Sequence, residues 1–141
     1  MSWARRGAVL ALALAACAQT RVPDFHGVRL GMTPREVRDR FDVRGDFRVS
    51  TDSATDDITM RFVPAQAAAV TTAQFEFHMG ALVAVRADVT KGDPAWSGDE
   101  TIATRAEVLH RERAASSTHI DWLSRECPTH AAEAKRLAGS K

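Results

Sequence analysis

The chain has 141 residues, with 19 Lys and Arg against 18 Asp and Glu, a formal charge of +1 and 45% hydrophobic residues. So even a balance gives no electrostatic case for nucleic acid, and no run of lysines suggests binding to anionic lipid through the body of the chain. The length suits one domain with one core, kept modest by six Phe, three Trp and no Tyr.

The start reads MSWARRGAVLALALAACAQT. Arg5 and Arg6 form a basic n-region, and Ala8 to Ala16 an apolar stretch too short to span a bilayer as a stable helix. Residues 1–16 are therefore a targeting segment rather than part of the fold. An ordinary secretory peptide would end in an A-x-A-like site, whereas Leu14, Ala15 and Ala16 here lead into Cys17. That segment resembles the lipobox of bacterial lipoproteins. The resemblance implies cleavage before Cys17, thioether attachment of diacylglycerol to its sulfur, and acylation of the new amino terminus with a fatty chain such as palmitate. Two or three chains on one residue give lasting attachment, because each buried methylene adds about 0.8 kcal/mol. Ala18, in place of the aspartate that favours inner-membrane retention in that family, implies the periplasmic face of the outer membrane. The alternative is a plain export signal in which Cys17 is only the last small residue. Losing Arg5 and Arg6 with the signal leaves 17 basic against 18 acidic groups, a mature charge of about −1. With Cys17 acylated, Cys127 has no partner for a disulfide within the chain.

Residues 17–26 read as a tether, with Pro23 discouraging regular structure, and residues 27–141 as a single domain. In GVRLGMTPREVRDRF (Gly27 to Phe41), Thr33 can serve as N-cap, Pro34 takes the first helical position and Glu36 completes a capping box. Met32 and Val37 stand at the two positions of a hydrophobic staple. Val37 and Phe41 share one side of this short helix, with Arg35, Arg38, Asp39 and Asp42 mostly on the other. A short strand VRLGM followed by TPREV resembles the GMT/S-x-x-x-V start of small SmpA/OmlA-type (BamE-like) envelope lipoproteins, over residues 27–41, and the related β-lactamase-inhibitor-like fold. Where that family closes the helix with a glycine and a nearby proline, Asp42, Val43 and Arg44 stand here before Gly45. The resemblance implies outer-membrane assembly or cell-wall-associated proteins as partners.

DFRVST (46–51) and ITMRFV (58–63) alternate with period two around the polar loop STDSATDD. Residues 65–72 connect to QFEFHMGALVAVRADV, a hairpin in which Met79 and Gly80 form the turn. Methionine dislikes positive φ, so the expected turn is type I with Gly80 in the left-handed position. KGDPAWSGDE (91–100) is a turn-rich loop. AEVLHRER (106–113) and THIDWLSR (118–125) suggest a second hairpin joined by AASS, although the charged first arm also reads as helix. The C-terminal segment has Pro128 at a helix start, Ala131, Ala134, Leu137 and Ala138 on one side, and Gly139 as stop. The expected class is α+β: a short N-terminal helix, an antiparallel sheet of about four to six strands built from hairpins, and a C-terminal helix, with the helices covering one sheet face.

If AASS pairs residue 113 with 118, then His110 faces Asp121 and Glu112 faces His119. These four would cluster on one face and could bind zinc or another divalent metal; the alternative is a solvated strand face with cross-strand charge pairs. The acidic loop 52–57 lacks EF-hand spacing and reads as a turn. Cys127, Pro128 and His130 offer a thiol at a helix start with an imidazole nearby, both of which favour thiolate; the alternative is a semi-buried structural cysteine. No phosphate-cradling glycine loop, G-x-S-x-G or H-E-x-x-H occurs. The sequence thus points to a membrane-anchored envelope lipoprotein that is not an enzyme, needs no cofactor and binds another protein. The rival is a thiol- or metal-dependent activity centred on Cys127 or on His110 and His119.

Overall fold

The computed structural model describes residues 22–90, 96 and 98–139. The signal segment 1–16 and Cys17 lie outside the described residues, as does most of the loop at 91–97. The folded body begins earlier than residue 27: Val22 and Phe25 are buried, and Phe25 packs edge-on against Trp96. Of the expected tether, Val22 and Phe25 therefore belong to the core, while Pro23 and Asp24 between them are exposed.

The first helix, α1 (Pro34–Arg40), has the start the sequence dictates. Thr33 Oγ1 accepts from the Glu36 amide at 3.2 Å, and the Glu36 carboxylate accepts from the Thr33 amide at 2.9 Å. The Thr33 contacts hold the Glu36 carboxyl below its ordinary range. Val37 is fully buried, with Met32 packed against the same cluster. The expected strand at Val28–Met32 reduces to an isolated bridge between Phe25 and Val28. Gly31 and Met32 exchange backbone bonds with Leu82 instead, at 2.8 Å each, fixing the entry to α1 on the sheet.

Seven strands follow: β1 (Gly45–Thr51), β2 (Ile58–Pro64), β3 (Val70–His78), β4 (Ala81–Thr90), β5 (Glu100–Ala103), β6 (Glu107–Arg113) and β7 (Ser117–Ser124). They form one antiparallel sheet in the order β1-β2-β3-β4-β7-β6-β5, so the expected four to six strands are too few. The additional strand is β5, recruited by pairing with β6 from Glu100↔Arg111 to Ala103↔Val108. The charged segment 107–113 is strand, not helix. Its partner and register follow from the AASS turn, where the Ala114 amide donates to Ser117 O at 2.8 Å.

The β3–β4 turn departs from the expectation. Met79 and Gly80 both have positive φ, 52° and 78°, which is a type I′ turn. Type I′ matches the right-handed twist of the strands, so the hairpin places an exposed methionine in the left-handed region at a local cost of about 1–2 kcal/mol. Met79→Asn, which makes the favoured Asn-Gly pair, is expected to raise the unfolding free energy by about 0.5–1 kcal/mol in urea denaturation. Met79 is 89% exposed, so no packing is lost.

Alternation along the strands divides the sheet into two faces. On the first, Met60, Phe62, Phe75, Val85, Leu109, Ile120 and Trp122 join Val37 and Phe41 in the main core. On the second, Ala84, Val108 and Leu123 pack under Ala134 and Leu137 of the last helix, α2 (Ala131–Ala138). The helices thus lie on opposite faces, not one. Adjacent apolar residues such as Trp122 and Leu123 bury both sides of the central strands, and each side needs its own cover. Residues 128–130 form a turn, so α2 starts three residues after Pro128 with His130 as N-cap.

Candidate functional site

Underneath the N-terminal end of α2, the second face turns from apolar to ionic. Arg86 projects from the middle of β4 and reaches three carboxylates on three elements. Its Nη1 lies 2.9 Å from Asp121 on β7 and 3.0 Å from Glu133 on α2, and its Nη2 lies 2.9 Å from the second Glu133 oxygen. Its Nε stands 3.5 Å from Glu76 on β3. The two-pronged bond to Glu133 uses the planar fork that only arginine supplies. Its effect is to raise the Arg86 pKa further above its ordinary value and hold the Glu133 carboxyl below its own.

Glu76 carries this network to the thiol. His130 Nε2 lies 3.0 Å from Glu76 Oε2, and His130 Nδ1 lies 3.5 Å from Cys127 Sγ. The imidazole therefore sits between a thiol and a carboxylate, with Cys127 5% and His130 8% exposed. The backbone enforces this arrangement, because Cys127 O accepts from the amides of both His130 and Ala131, at 3.0 and 2.9 Å. Cys127 is a free thiol. It lines a cavity of about 540 Å³ with Leu30, Leu82, Val83, Ala106 and Pro128. A neighbouring cavity of about 420 Å³ is lined by Glu76 and His130, together with Asp57 and His78. A carboxylate and a thiol on the two nitrogens of one imidazole form the geometric pattern of an activated nucleophile.

The four residues expected as a metal set have the expected register: His110 opposes Asp121, and Glu112 opposes His119. Only His119 and Asp121 come within reach of each other, and the set does not converge on one point. His110 Nδ1 bonds the Thr101 hydroxyl at 2.8 Å, Asp121 serves Arg86, and Glu112 is exposed. His119 lies 2.9 Å from Asp88 and 3.4 Å from Asp121. Burial works against its charged form, but the Asp88 and Asp121 carboxylates outweigh burial and raise its pKa. Among the described residues, no group of three His, Cys, Asp or Glu is placed to hold a metal ion. The acidic loop 52–57 is a turn: Asp52 Oδ1 accepts from the Ala54 amide at 2.8 Å within it, and Asp57 Oδ1 ties it to β3, 2.7 Å from His78 Nδ1.

Sequence reasoning finds Cys127 and His130 but misses Glu76, Arg86 and Glu133. The available signal is an arginine directly after the apolar run LVAV (82–85), which a two-sided central strand tolerates only with partners. Compared with known proteins, the chain matches no protein family, no curated protein and no solved structure.

Proposed function

We propose that the chain is an envelope lipoprotein, anchored through Cys17 at the periplasmic face of the outer membrane, whose α+β domain acts as a non-enzymatic protein-binding or assembly module. The observation that carries this reading is the sequence Leu14-Ala15-Ala16-Cys17 directly after a basic n-region and a short apolar stretch. The fold is compatible with it: α2 packs on β5, β6 and β7, while the β1–β2 end of the same face presents Arg48, Arg61 and Val63 to solvent. The likeness of residues 27–41 to the SmpA/OmlA-type lipoproteins supports an envelope partner of the assembly or cell-wall class.

Mass spectrometry of the mature amino terminus tests the anchor. A diacylglyceryl, N-acylated Cys17, abolished by Cys17→Ser along with membrane fractionation, is the expected result; an intact, unmodified amino terminus rejects it. Crosslinking in detergent then tests the partner, and recovery of no envelope protein above background counts against the binding role.

The line Cys127–His130–Glu76 favours a second reading, a thiol-dependent activity at the foot of α2. On that reading a small alkylating agent modifies Cys127 faster in the folded protein than in a denatured control at neutral pH. His130→Gln and Glu76→Gln each remove the advantage. Slower modification in the folded state would make Cys127 a packing residue.

A further inference from the structure

The outer edge of the sheet at β1 has no partner among the described residues. Edges of this kind are usually blunted by charged side chains, lysine above all, by proline, a bulge or a covering element; here the two charges, Asp46 and Arg48, are opposite in sign and can pair with each other. β1 carries neither proline nor lysine, and its pairing with β2 runs from Gly45↔Pro64 to Thr51↔Ile58 without a register shift. The peptide groups that face outward can be identified. Arg44 O accepts from the Ala65 amide at 3.1 Å, and the Asp52 amide donates to Asp57 O at 2.9 Å, both in register with the β1–β2 ladder. Hydrogen-bonded pairs alternate along an antiparallel ladder, so the even-numbered residues bond to β2. Gly45, Phe47, Val49 and Thr51 therefore direct their N–H and C=O groups outward.

We infer that this edge pairs with the same edge of a second copy, antiparallel and centred on Phe47, so that Asp46 of each chain lies opposite Arg48 of the other. The choice of register comes from charge. Only odd-numbered residues offer outward groups, so allowed registers differ by two-residue steps. Moving one step in either direction sets Arg48 against Arg48 or Asp46 against Asp46, and like charges directly opposite are unfavourable. Centring on Phe47 instead makes two Asp46–Arg48 pairs across a two-fold axis, which is self-complementary and closes at two copies.

Two features of the single chain fit this occupant. Arg48 stands directly opposite Arg61 within the chain, a like-charge cross-strand pair, and among the described residues neither has an acidic partner. Asp46 of the second copy supplies one to Arg48. Val49, on the core face, is 50% exposed. In the paired sheet it lies opposite Gly45 and diagonal to Phe47 of the second copy, which withdraws it from water. An edge of seven residues falls at the low end of specific interfaces, so the dimer forms in a concentration-dependent way. The inference does not depend on the membrane anchor or on any envelope partner.

Sedimentation velocity on the full chain, in detergent with micelles in excess over protein, tests it. Wild type should show a monomer–dimer equilibrium. Asp46→Arg and Arg48→Asp, both at exposed positions, should each weaken it by about tenfold or more, since each turns two attractive pairs into two repulsive ones. Mixing the two single variants should restore association, because one chain then carries arginine at both positions and the other aspartate at both, and every cross-chain pair is again opposite in charge. The double variant should also self-associate like wild type. A wild type that stays monomeric to millimolar concentration overturns the proposal, and so does a dimer that neither single variant weakens, which would place association on another surface.

Discussion

Replacing Gly27 with alanine is expected to lower the unfolding free energy by about 3 kcal/mol or more, read as the shift of the urea midpoint at constant slope. Two costs combine. Gly27 has φ +86°, where an L side chain is strained by about 1–2 kcal/mol. A Cβ there would also approach the Arg40 carbonyl oxygen, and that atom belongs to the backbone at the end of α1 and cannot swing aside. Relieving such overpacking costs about 1–3 kcal/mol. The turn around Gly27 closes on α1 because His26 O accepts from the Asp42 amide at 3.1 Å, so a displaced backbone would also loosen Phe25 and Phe41. Gly31 provides the control. Its φ is +92°, yet nothing lies within 4 Å of its built Cβ. Gly31→Ala should therefore show the conformational cost alone, about 1–2 kcal/mol, and equal losses at the two sites would refute the close-contact argument.

Arg86→Met carries the second large effect, a loss of about 3 kcal/mol at neutral pH. The change keeps most of the apolar stem but leaves Glu76, Asp121 and Glu133 facing one another, partly buried, without their shared cation. Removing one partner of a buried ion pair costs about 3–5 kcal/mol, and the partial exposure of this network places it at the lower end. The pH dependence has a definite sign. Arg86 depresses the folded-state pKa of Glu133, so the stability it confers is present above the unfolded carboxylate value of about 4.3 and is lost as pH falls through the lower folded value. The deficit of the variant should therefore be largest near neutrality and should narrow below about pH 4, as the orphaned carboxylates take up protons. Hydrogen exchange should show α2 losing protection first, since Glu133 ties that helix to the sheet through Arg86. A deficit independent of pH would mean that Arg86 matters only through its packing.

Local chemistry makes much of the fold readable from the sequence. The start of α1 needs only Thr33, Pro34 and Glu36, which are neighbours along the chain. The AASS turn fixes the β6–β7 register, and with it the pairing of His110 with Asp121. What escapes depends on distant partners. β5 is four residues whose extended form comes from pairing with β6. The face that α2 covers escapes as well, although doublets such as Ala84-Val85, Val108-Leu109 and Trp122-Leu123 carry the signal: consecutive apolar residues in a strand require cover on both sides. The Arg86 network joins residues from β3, β4, β7 and α2, so it becomes visible only once the sheet order is known. The same holds for Glu76, which lies 54 positions before the histidine it orients.

The order of the strands also bears on how the chain reaches its native state. Five of the six ladders join strands consecutive in sequence, and only β4 with β7 bridges a long interval, from Thr90 to Ser117. Short hairpins close at small entropic cost, whereas this seam must first bring two distant stretches together. The sheet therefore divides into an amino-terminal meander of four strands and a carboxy-terminal one of three. Their meeting along β4 and β7 carries the largest loop-closure cost of the six ladders.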